Sequence, residues 1–234
     1  MNVVSRDGLG VVPVAKEPMH QRVYEQLRGL LMSGHFNPGQ QLTITELASA
    51  FGTSAQPVRD AIRQLVAEKA LSALPNRSAI VPMLDRAAME DVRAVRLAVE
   101  GLAAELAAAR MTSADIDELE RLVLQEVEAD SARRIEETVA QNRAFHVRLY
   151  SLSGSRVLPP IIDSLWLQIG PYIRRSVEYF DVQGGSSLHH LEAITAMRSG
   201  NPKAVRTAIE RDIGRFFEIA LAVVDADANR SDVA

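Results

Sequence analysis

The sequence predicts a mainly α-helical protein with an N-terminal winged helix-turn-helix and a C-terminal antiparallel all-α bundle. Aromatic residues make up only 5% of the 234-residue chain, while Ala, Leu, Val and Ile are abundant, and this favours helices over a β-sandwich. Apolar residues recur at helical spacing through most of the chain. The two β-prone runs both precede Pro82, so the predicted strands are confined to the first third.

The N-terminal elements follow from start and stop signals. After a predicted tail over residues 1–18, a first helix is expected from about His20 to Met32. A turn at Asn37–Gly39 leads to a short second helix, 46–51, which Thr43 or Thr45 caps. Ser54 caps a third helix that runs to about Lys69, with Pro57 in its tolerant first turn. Two helices joined by a short turn predict a helix-turn-helix.

A β-hairpin is predicted directly after the third helix. The runs Leu71–Leu74 and Ala79–Val81 favour strands, and Pro75–Ser78 between them is typical of a turn. Three helices and a hairpin predict a winged helix over residues 19–84.

From Asp85 onward the sequence predicts only helices, which gives a second domain over 85–228 and a tail over 229–234. Pro159-Pro160 and Gly170-Pro171 are expected to break or kink the fourth of these helices. Gln183–Ser186 predicts a flexible link, and Asn201-Pro202 a cap with proline at the first helical position. The predicted spans are 86–110, 113–129, 132–152, 156–180, 187–199 and 202–227.

Composition excludes several protein classes. The chain has no cysteine, which rules out disulfides and thiolate metal sites and makes the cytoplasm the expected compartment. No apolar run is long enough to span a membrane. The net charge is −4, and the acidic excess lies in residues 86–234.

The segment from Val23 to Leu84 resembles the DNA-binding domain of the GntR family of transcription regulators. The resemblance includes the turn, the second helix and the start of the third helix in one register. The residues that carry it are Gly34, Pro38-Gly39, Leu42, Glu46-Leu47-Ala48, Ser54, Pro57-Val58-Arg59, Ala61-Ile62, Leu65 and Pro75-Asn76-Arg77.

The resemblance implies that the third helix enters the major groove of DNA with its N-terminus leading. The predicted DNA-contacting residues are Ser54, Gln56, Arg59, Arg63 and, at the tip of the wing, Arg77. The chain departs from the family pattern at Ala55, where members commonly carry arginine, at Ser78, where they commonly carry glycine, and near Lys69, where they also commonly carry glycine.

Polar residues interrupt the apolar stripes of three C-terminal helices. Asn142 and His146 share a helical face with Val139 and Leu149, and Asp212 lies in the stripe of the last helix. His190 shares a face with Ile194 and Met197. Because an unpaired buried charge is costly, these polar groups are expected to converge inside the bundle.

Residues 86–228 resemble the helical effector domain of the FadR-like branch of the same family. The resemblance rests on Val95-Arg96 with Glu100, on Asn142–His146, and on His190 before Ala196-Met197. It implies a divalent metal site whose four positions fall on Asn142, His146, His190 and Asp212. Two histidines and an aspartate, with Asn142 or water, suit Zn, Mn, Ni or Fe(II). A metal-free cluster in which Asp212 pairs with a histidine is the alternative.

The same resemblance implies that Arg96 engages a carboxylate effector. Arg174 follows the expected break at Gly170-Pro171, so it is predicted to face the cavity as well, and Tyr150 is a further predicted lining residue. A surface salt bridge between Arg96 and Glu100 is the alternative for that arginine.

The sequence therefore predicts a homodimeric regulator that binds double-stranded operator DNA and a small organic acid, and that is not an enzyme. Two alternatives remain open at this stage. A metal-dependent enzyme would use the histidine cluster, and a regulator without an effector would fill the cavity with side chains.

Overall fold

A computed structural model of the chain describes residues 18–75, 78–183 and 187–231. Its N-terminal part, the winged-helix region (residues 18–84), contains three helices and a small sheet, as the sequence predicts. The elements are α1 (Met19–Met32), β1 (Gln41–Thr43), α2 (Ile44–Ala50), α3 (Ala55–Ala67), β2 (Ser72–Leu74) and β3 (Ser78–Ile80).

The sheet has one strand more than the two that the sequence predicts. Its order is β1-β3-β2, both pairings are antiparallel, and Leu42 of β1 lies opposite Ala79 of β3. β1 has only three residues, which is too short for an alternating pattern to reveal it. Thr43 follows as the cap of α2, because its side chain accepts a hydrogen bond from the backbone N–H of Glu46.

An apolar core holds the three helices of the winged-helix region together. Leu27, Leu31, Val58 and Leu65 are completely buried there. The chain leaves α3 through Lys69, whose φ of 61° is one that glycine adopts more easily. Lys69 thus takes a left-handed conformation at a position near which the family commonly has glycine.

The C-terminal part, the helical bundle (residues 85–231), contains only helices among its described residues. Helix α4 lies against α9, α5 against α6, and α8 against α9. The helices are α4 (Arg86–Ala108), α5 (Ser113–Ser131), α6 (Ile135–Ser151), α7 (Leu158–Gln183), α8 (Leu188–Arg198) and α9 (Pro202–Ser231).

The structure corrects two expectations about the bundle. Helix α7 runs without a break through Pro171, because the apolar side chains on both sides of it, Leu167, Ile169 and Tyr172 among them, are buried. Helix α9 continues to Ser231, past the predicted helix end at residue 227, and Asp225 near its end forms an ion pair with Arg86. The predicted link at 184–186 lies outside the described residues, as do residues 1–17 and 232–234.

The two parts of the protein meet where α1 lies against α7. Gly170 allows the close approach, since a Cβ at this position would stand 2.8 Å from the Met32 Cα and 2.9 Å from the carbonyl carbon of Leu31. Nearby, the hydroxyl of Tyr172 accepts a hydrogen bond of 2.9 Å from the backbone N–H of Leu84. The winged-helix region is thus seated directly on one helix of the bundle.

Candidate nucleic-acid interface and metal centre

Helix α3 presents its first two turns to solvent. Gln56 and Arg63 are exposed and Arg59 is half-buried. Ser54 occupies the N-cap position, but its side chain makes no capping hydrogen bond. Ser54 is exposed at the N-terminus of α3, a position that suits a phosphate. Arg77, which the sequence predicts at the wing tip, lies outside the described residues.

Asp60 is a charged residue on this surface that the sequence reasoning did not single out. Its carboxylate accepts a hydrogen bond of 3.0 Å from the Gln56 side-chain amide. It also accepts one of 3.3 Å from Arg63. Asp60 therefore orients two of the five predicted DNA-contacting side chains, and its spacing of four and three residues from them was the available signal.

Inside the bundle, three helices bring polar side chains to one place. Helix α6 supplies Asn142 and His146, α8 supplies His190, and α9 supplies Asp212. The two histidines are almost fully buried, with relative exposures of 2% and 0%. The convergence predicted from the interrupted stripes is therefore present in the structure.

His146, His190 and Asp212, which we call the histidine cluster, form a compact set of possible metal ligands. The Nε2 atoms of the two histidines are 3.1 Å apart. Asp212 places one carboxylate oxygen 3.2 Å from His146 Nε2 and the other 3.5 Å from His190 Nε2. Ligand atoms bound about 2.1 Å from one ion at angles of 90–109° lie about 3.0–3.4 Å from each other. The three residues thus fit a single divalent ion.

The other ring nitrogens of the histidines are held by the protein. Nδ1 of His190 lies 2.7 Å from a carboxylate oxygen of Glu126, and Nδ1 of His146 lies 2.8 Å from the Tyr150 hydroxyl. Such partners fix the orientation of metal-binding histidines and strengthen them as ligands. Both Nε2 atoms are consequently directed to the centre of the cluster.

Asn142 lies beside the cluster and is hydrogen-bonded to Glu126. Its side-chain amide donates a hydrogen bond of 3.3 Å to the carboxylate oxygen of Glu126 that does not face His190. Glu126 on α5 is fully buried, and the sequence reasoning missed it. A signal was present, because Glu126 continues the apolar stripe of Leu119 and Val123 on its helix.

The electrostatics describe how the cluster holds a proton. Burial alone would lower the pKa of His190, but the carboxylates of Glu126 and Asp212 outweigh it and raise the pKa to about 10. Burial would likewise oppose ionisation of Asp212, yet His190 and His146 hold the pKa of that carboxyl well below its usual range. Without a metal, the proton on His190 supplies the positive charge that balances the fully buried carboxylate of Glu126 and the partly buried one of Asp212.

Arg96 lies in the same interior and is 3% exposed. Its guanidinium donates to both carboxylate oxygens of Glu100, one of them at 3.1 Å. The carbon atom of the guanidinium lies 4.9 Å from the centre of the Trp166 ring. Glu100 also accepts hydrogen bonds from Tyr150 at 2.7 Å and from Trp166 at 3.0 Å. The ion pair between Arg96 and Glu100, which the sequence analysis gave as an alternative at the surface, is therefore present, but it is buried.

A small cavity of about 50 Å³ adjoins the cluster and is lined by Arg96, Asn142, His146 and Asp212. Tyr150 takes part in the surrounding hydrogen bonds. The structure corrects the expectation for Arg174, which forms an ion pair of 3.2 Å with Glu136. Because α7 does not break at Pro171, Arg174 faces the junction of α1 and α6 and does not line this cavity.

Comparisons with known proteins agree with this architecture. The family model "Bacterial regulatory proteins, gntR family" matches residues 19–81, and the FCD domain model matches residues 91–215. The HTH-type transcriptional regulator McbR of Escherichia coli is 27% identical over 188 residues, which are 79% of this chain and 85% of McbR. The Nta operon transcriptional regulator of Aminobacter aminovorans is 26% identical, with 83% and 93% covered.

Solved structures show the same fold. E. coli McbR/YncC superposes with a TM-score of 0.80 at 24% identity and covers 88% of this chain and 98% of its own. A regulator from Rhodococcus sp. RHA1 reaches 0.72 at 19% identity, with 87% and 97% covered. Among the described residues, no helix is long and apolar enough to cross a membrane.

Proposed function

The chain belongs to the GntR family of bacterial transcription regulators and carries an FCD domain, and from this premise we propose that a small carboxylate metabolite and a divalent metal control its binding to DNA. The matched families and relatives are DNA-binding transcription regulators, not enzymes. The observation that supports the metal is the geometry of the histidine cluster, whose ligand atoms lie 3.1–3.5 Å apart in a buried site.

We propose that His146, His190 and Asp212 hold one ion, and that water or the amide oxygen of Asn142 completes its coordination. Zn, Mn, Ni and Fe(II) all accept two imidazoles and a carboxylate. When bound, the ion supplies a Lewis-acidic position that a carboxylate can occupy. The protein's own residues orient the ligands, because Glu126 holds His190 and Tyr150 holds His146.

Elemental analysis of protein purified without chelators tests the metal. We expect about one equivalent of metal per chain in the wild type and a strong loss in both His146→Ala and His190→Ala. If the wild type stays metal-free after reconstitution with Zn, Mn and Ni, the cluster is a hydrogen-bonded structure, and the protein is a regulator without a metal.

The carboxylate proposal rests on Arg96, which lines the cavity together with Asp212. A cavity of about 50 Å³ accommodates an ion and one or two small groups, since a water molecule occupies about 30 Å³ of the liquid. We therefore propose that only the carboxylate group of an effector reaches Arg96 here. The variant Arg96→Met with Glu100→Gln removes both charges of the ion pair, and it should respond less to an effector than the wild type. An equal response would remove Arg96 from the site.

We propose that the protein acts in the cytoplasm, where two copies of the chain bind a pseudo-palindromic operator. The side chains proposed to contact the DNA are Ser54, Gln56, Arg59, Arg63 and Arg77. One winged helix spans a half-site, and two-fold symmetry in the protein matches symmetry in the DNA. We also propose that residues 19–84 form the DNA-binding domain and residues 85–228 the effector-binding and dimerisation domain. Sizing in solution followed by footprinting tests the dimer, and a monomer on an asymmetric site would contradict it.

Arg59→Ala tests the assignment of α3 as the reading helix. A lost base contact weakens specific binding by about 1–3 kcal/mol, while the fold should be unaffected because Arg59 lies at the surface of the helix. Affinity is best measured on an operator selected from random duplexes. Wild-type affinity in this variant would exclude Arg59 from the interface.

A further inference from the structure

A second and larger cavity lies between the winged-helix region and the bundle. Its volume is about 470 Å³, and its walls come from α1, α6 and α7. Pockets that hold small organic molecules usually measure about 300–1,000 Å³. This cleft therefore has the size of a metabolite site, which the cavity beside the histidine cluster lacks.

The walls of this interdomain cleft suit a molecule with an apolar body. Most of the residues that line it are apolar or aromatic, and they include Pro159, Pro160, Ile162 and Trp166. The lining also contains Arg28 and Arg143, whereas Asp163 is its one acidic residue. Two guanidinium groups against one carboxylate leave the cleft with an excess of positive charge.

Arg143 lacks a strong acceptor in the cleft. Its Nε atom is the one buried side-chain nitrogen or oxygen without a hydrogen-bond partner in the part of the chain that the structure describes. Its Nη2 atom reaches the sulfur of Met32 at 3.5 Å, which is a weak acceptor. Asp163 is 3.9 Å away, beyond hydrogen-bond distance. The Arg143 side chain is 38% exposed, so a carboxylate in the cleft would reach its Nη atoms and give this guanidinium a strong acceptor.

Arg28 connects the cleft to the reading helix. It forms an ion pair with Asp163 of α7, and its Nε lies 4.0 Å from a carboxylate oxygen of Glu68. Glu68 is the C-cap residue of α3 and also accepts a hydrogen bond of 2.9 Å from Tyr24. A change in the partner of Arg28 would therefore act on the C-terminal end of α3, the helix that we propose reads DNA.

We propose that the interdomain cleft binds an organic carboxylate, whose apolar body packs on Trp166 and the two prolines and whose charge is held by Arg143. The bound carboxylate competes with Asp163 for Arg28 and so loosens the tie between α1 and α7. This regulatory role rests on the proposed response to an acid, but binding in the cleft does not require the metal. His146 and Trp166 border both cavities, whereas Arg96 and Asp212 line only the small one.

The fluorescence of Trp166, the single tryptophan of the chain, reports binding of the acid, and because Trp166 borders both cavities the variants below locate the site. The probe is 3-phenylpropanoate, compared with 3-phenylpropan-1-ol and 3-phenylpropylamine, which have the same body and a neutral or cationic end. We expect the acid to bind at least tenfold more tightly than the alcohol and the amine not to bind. Equal affinity for acid and alcohol would overturn the proposal.

Variants locate the site. Arg143→Gln should weaken binding of the acid at least tenfold, and Asp163→Asn should strengthen it about threefold because the competing carboxylate is gone. Arg148→Gln is the control on the same helix, since Arg148 pairs with Asp115 and Glu118 away from the cleft, and it should bind as the wild type does. Unchanged affinity in Arg143→Gln, or weaker affinity in Asp163→Asn, would contradict the proposal.

Metal removal separates this inference from the proposed function. The acid should bind chelator-treated and zinc-loaded protein with the same affinity within twofold. Binding to the zinc-loaded form alone would place the acid at the histidine cluster, which would refute the cleft site and support the metal proposal. If the protein takes up no metal at all, the metal proposal fails, and the titration still decides on the cleft.

Discussion

The winged-helix region and the helical bundle place their polar side chains in opposite ways. In the described residues up to 84 no charged side chain is buried, and the core is apolar apart from Ser78 and the hydroxyl of Tyr24. The bundle buries Arg96, Glu100, Glu126 and His190, none more than 3% exposed. One region keeps its charges at the surface, and the other holds them inside.

The difference indicates where each region meets its ligand. DNA is read from outside, so a reading helix needs only a stable apolar core beneath its exposed side chains. Buried charges are costly, and an apolar replacement of a buried ion pair often stabilises a protein. Their presence on several helices of the bundle therefore indicates a function in the interior, which binding of a cation or an acid would provide.

Removal of a buried charge from the bundle should have the largest effect on stability. In Glu126→Leu, both His190 and Asn142 lose their partner in the core. Loss of one member of a buried pair costs about 3–5 kcal/mol, and we expect urea unfolding of metal-free protein to show a loss of this size. Affinity for zinc should also fall about 10- to 100-fold, because the partner that orients His190 is gone.

Glu120→Gln is the matched control on the same helix. Glu120 is partly exposed and forms an ion pair with Arg198 at the surface. Such pairs contribute about 0–1 kcal/mol, so stability and zinc affinity should hardly change. If both variants lost the same stability, burial would not distinguish the interior of the bundle from its surface.

A substitution at the junction of the two regions should have the next largest effect on stability. In Gly170→Ala the new methyl group meets the backbone of Leu31 and Met32. Overpacking of this kind costs about 1–3 kcal/mol, and we expect the two regions to melt in separate steps in calorimetry. Gly29→Ala on α1 is the control, because a Cβ there has no neighbour within 4 Å and should stabilise the helix by about 0.5–1 kcal/mol. A single unshifted transition in Gly170→Ala would show that the contact is not tight.

The sequence predicted the local features of the fold well and the long-range ones less well. Caps such as Thr43 and Asn201 mark helix starts because their hydrogen bonds reach only three residues along the chain. The continuity of α7 through Pro171 depends on packing against other helices, and no local signal carries it. The strand β1 was missed because its partner, β3, lies more than 30 residues further along.

The same division applies to the candidate site. The residues of the histidine cluster could be predicted because each interrupts an apolar stripe. The partners that hold them could not be paired from the sequence, since His190 and Glu126 are 64 positions apart. Arg174 was expected at the cavity because a helix break was expected at Pro171, and the unbroken helix turns it to another face.

A pH titration sharpens the contrast between the regions. His190 has its pKa raised from 6.5 to about 10, so its contribution to stability is complete below pH 6.5 and is lost as the pH rises towards 10. The lowered pKa of Asp212 stabilises the fold above its ordinary value of 3.8 and is lost in acid. Metal-free bundle amides should thus lose protection from hydrogen exchange between pH 6.5 and 9.

The winged-helix region should respond much less over this range. Its Tyr24 has a pKa raised to about 12, because burial and the carboxylate of Glu68 disfavour the phenolate, and it does not titrate below pH 9. Zinc should reverse the trend in the bundle, since it displaces the proton from His190, and its stabilising effect should be larger at pH 8 than at pH 6. Parallel loss of protection in α3 and α8 would contradict the assignment to the cluster.

The smallest effect is expected from a surface charge of the reading helix. Asp60 accepts hydrogen bonds from Gln56 and Arg63, and its carboxylate lies on the surface that we propose faces DNA. Asp60→Asn keeps a carbonyl oxygen as acceptor and removes the negative charge. Stability should change by less than about 0.5 kcal/mol, as is usual for surface substitutions. DNA affinity should rise about two- to fivefold at low salt, and the gain should shrink as salt screens the charge.

Asp117→Asn is the control for this variant, because Asp117 forms a comparable surface ion pair with Arg198 in the bundle, and its loss should leave DNA affinity unchanged. Fluorescence anisotropy on the selected operator, at two salt concentrations, measures both variants. If Asp60→Asn bound the operator more weakly at both salt concentrations, the carboxylate would itself accept a hydrogen bond from a base, as acidic side chains do from cytosine N4. The surface of the winged-helix region would then carry sequence specificity through an anion as well as through arginines.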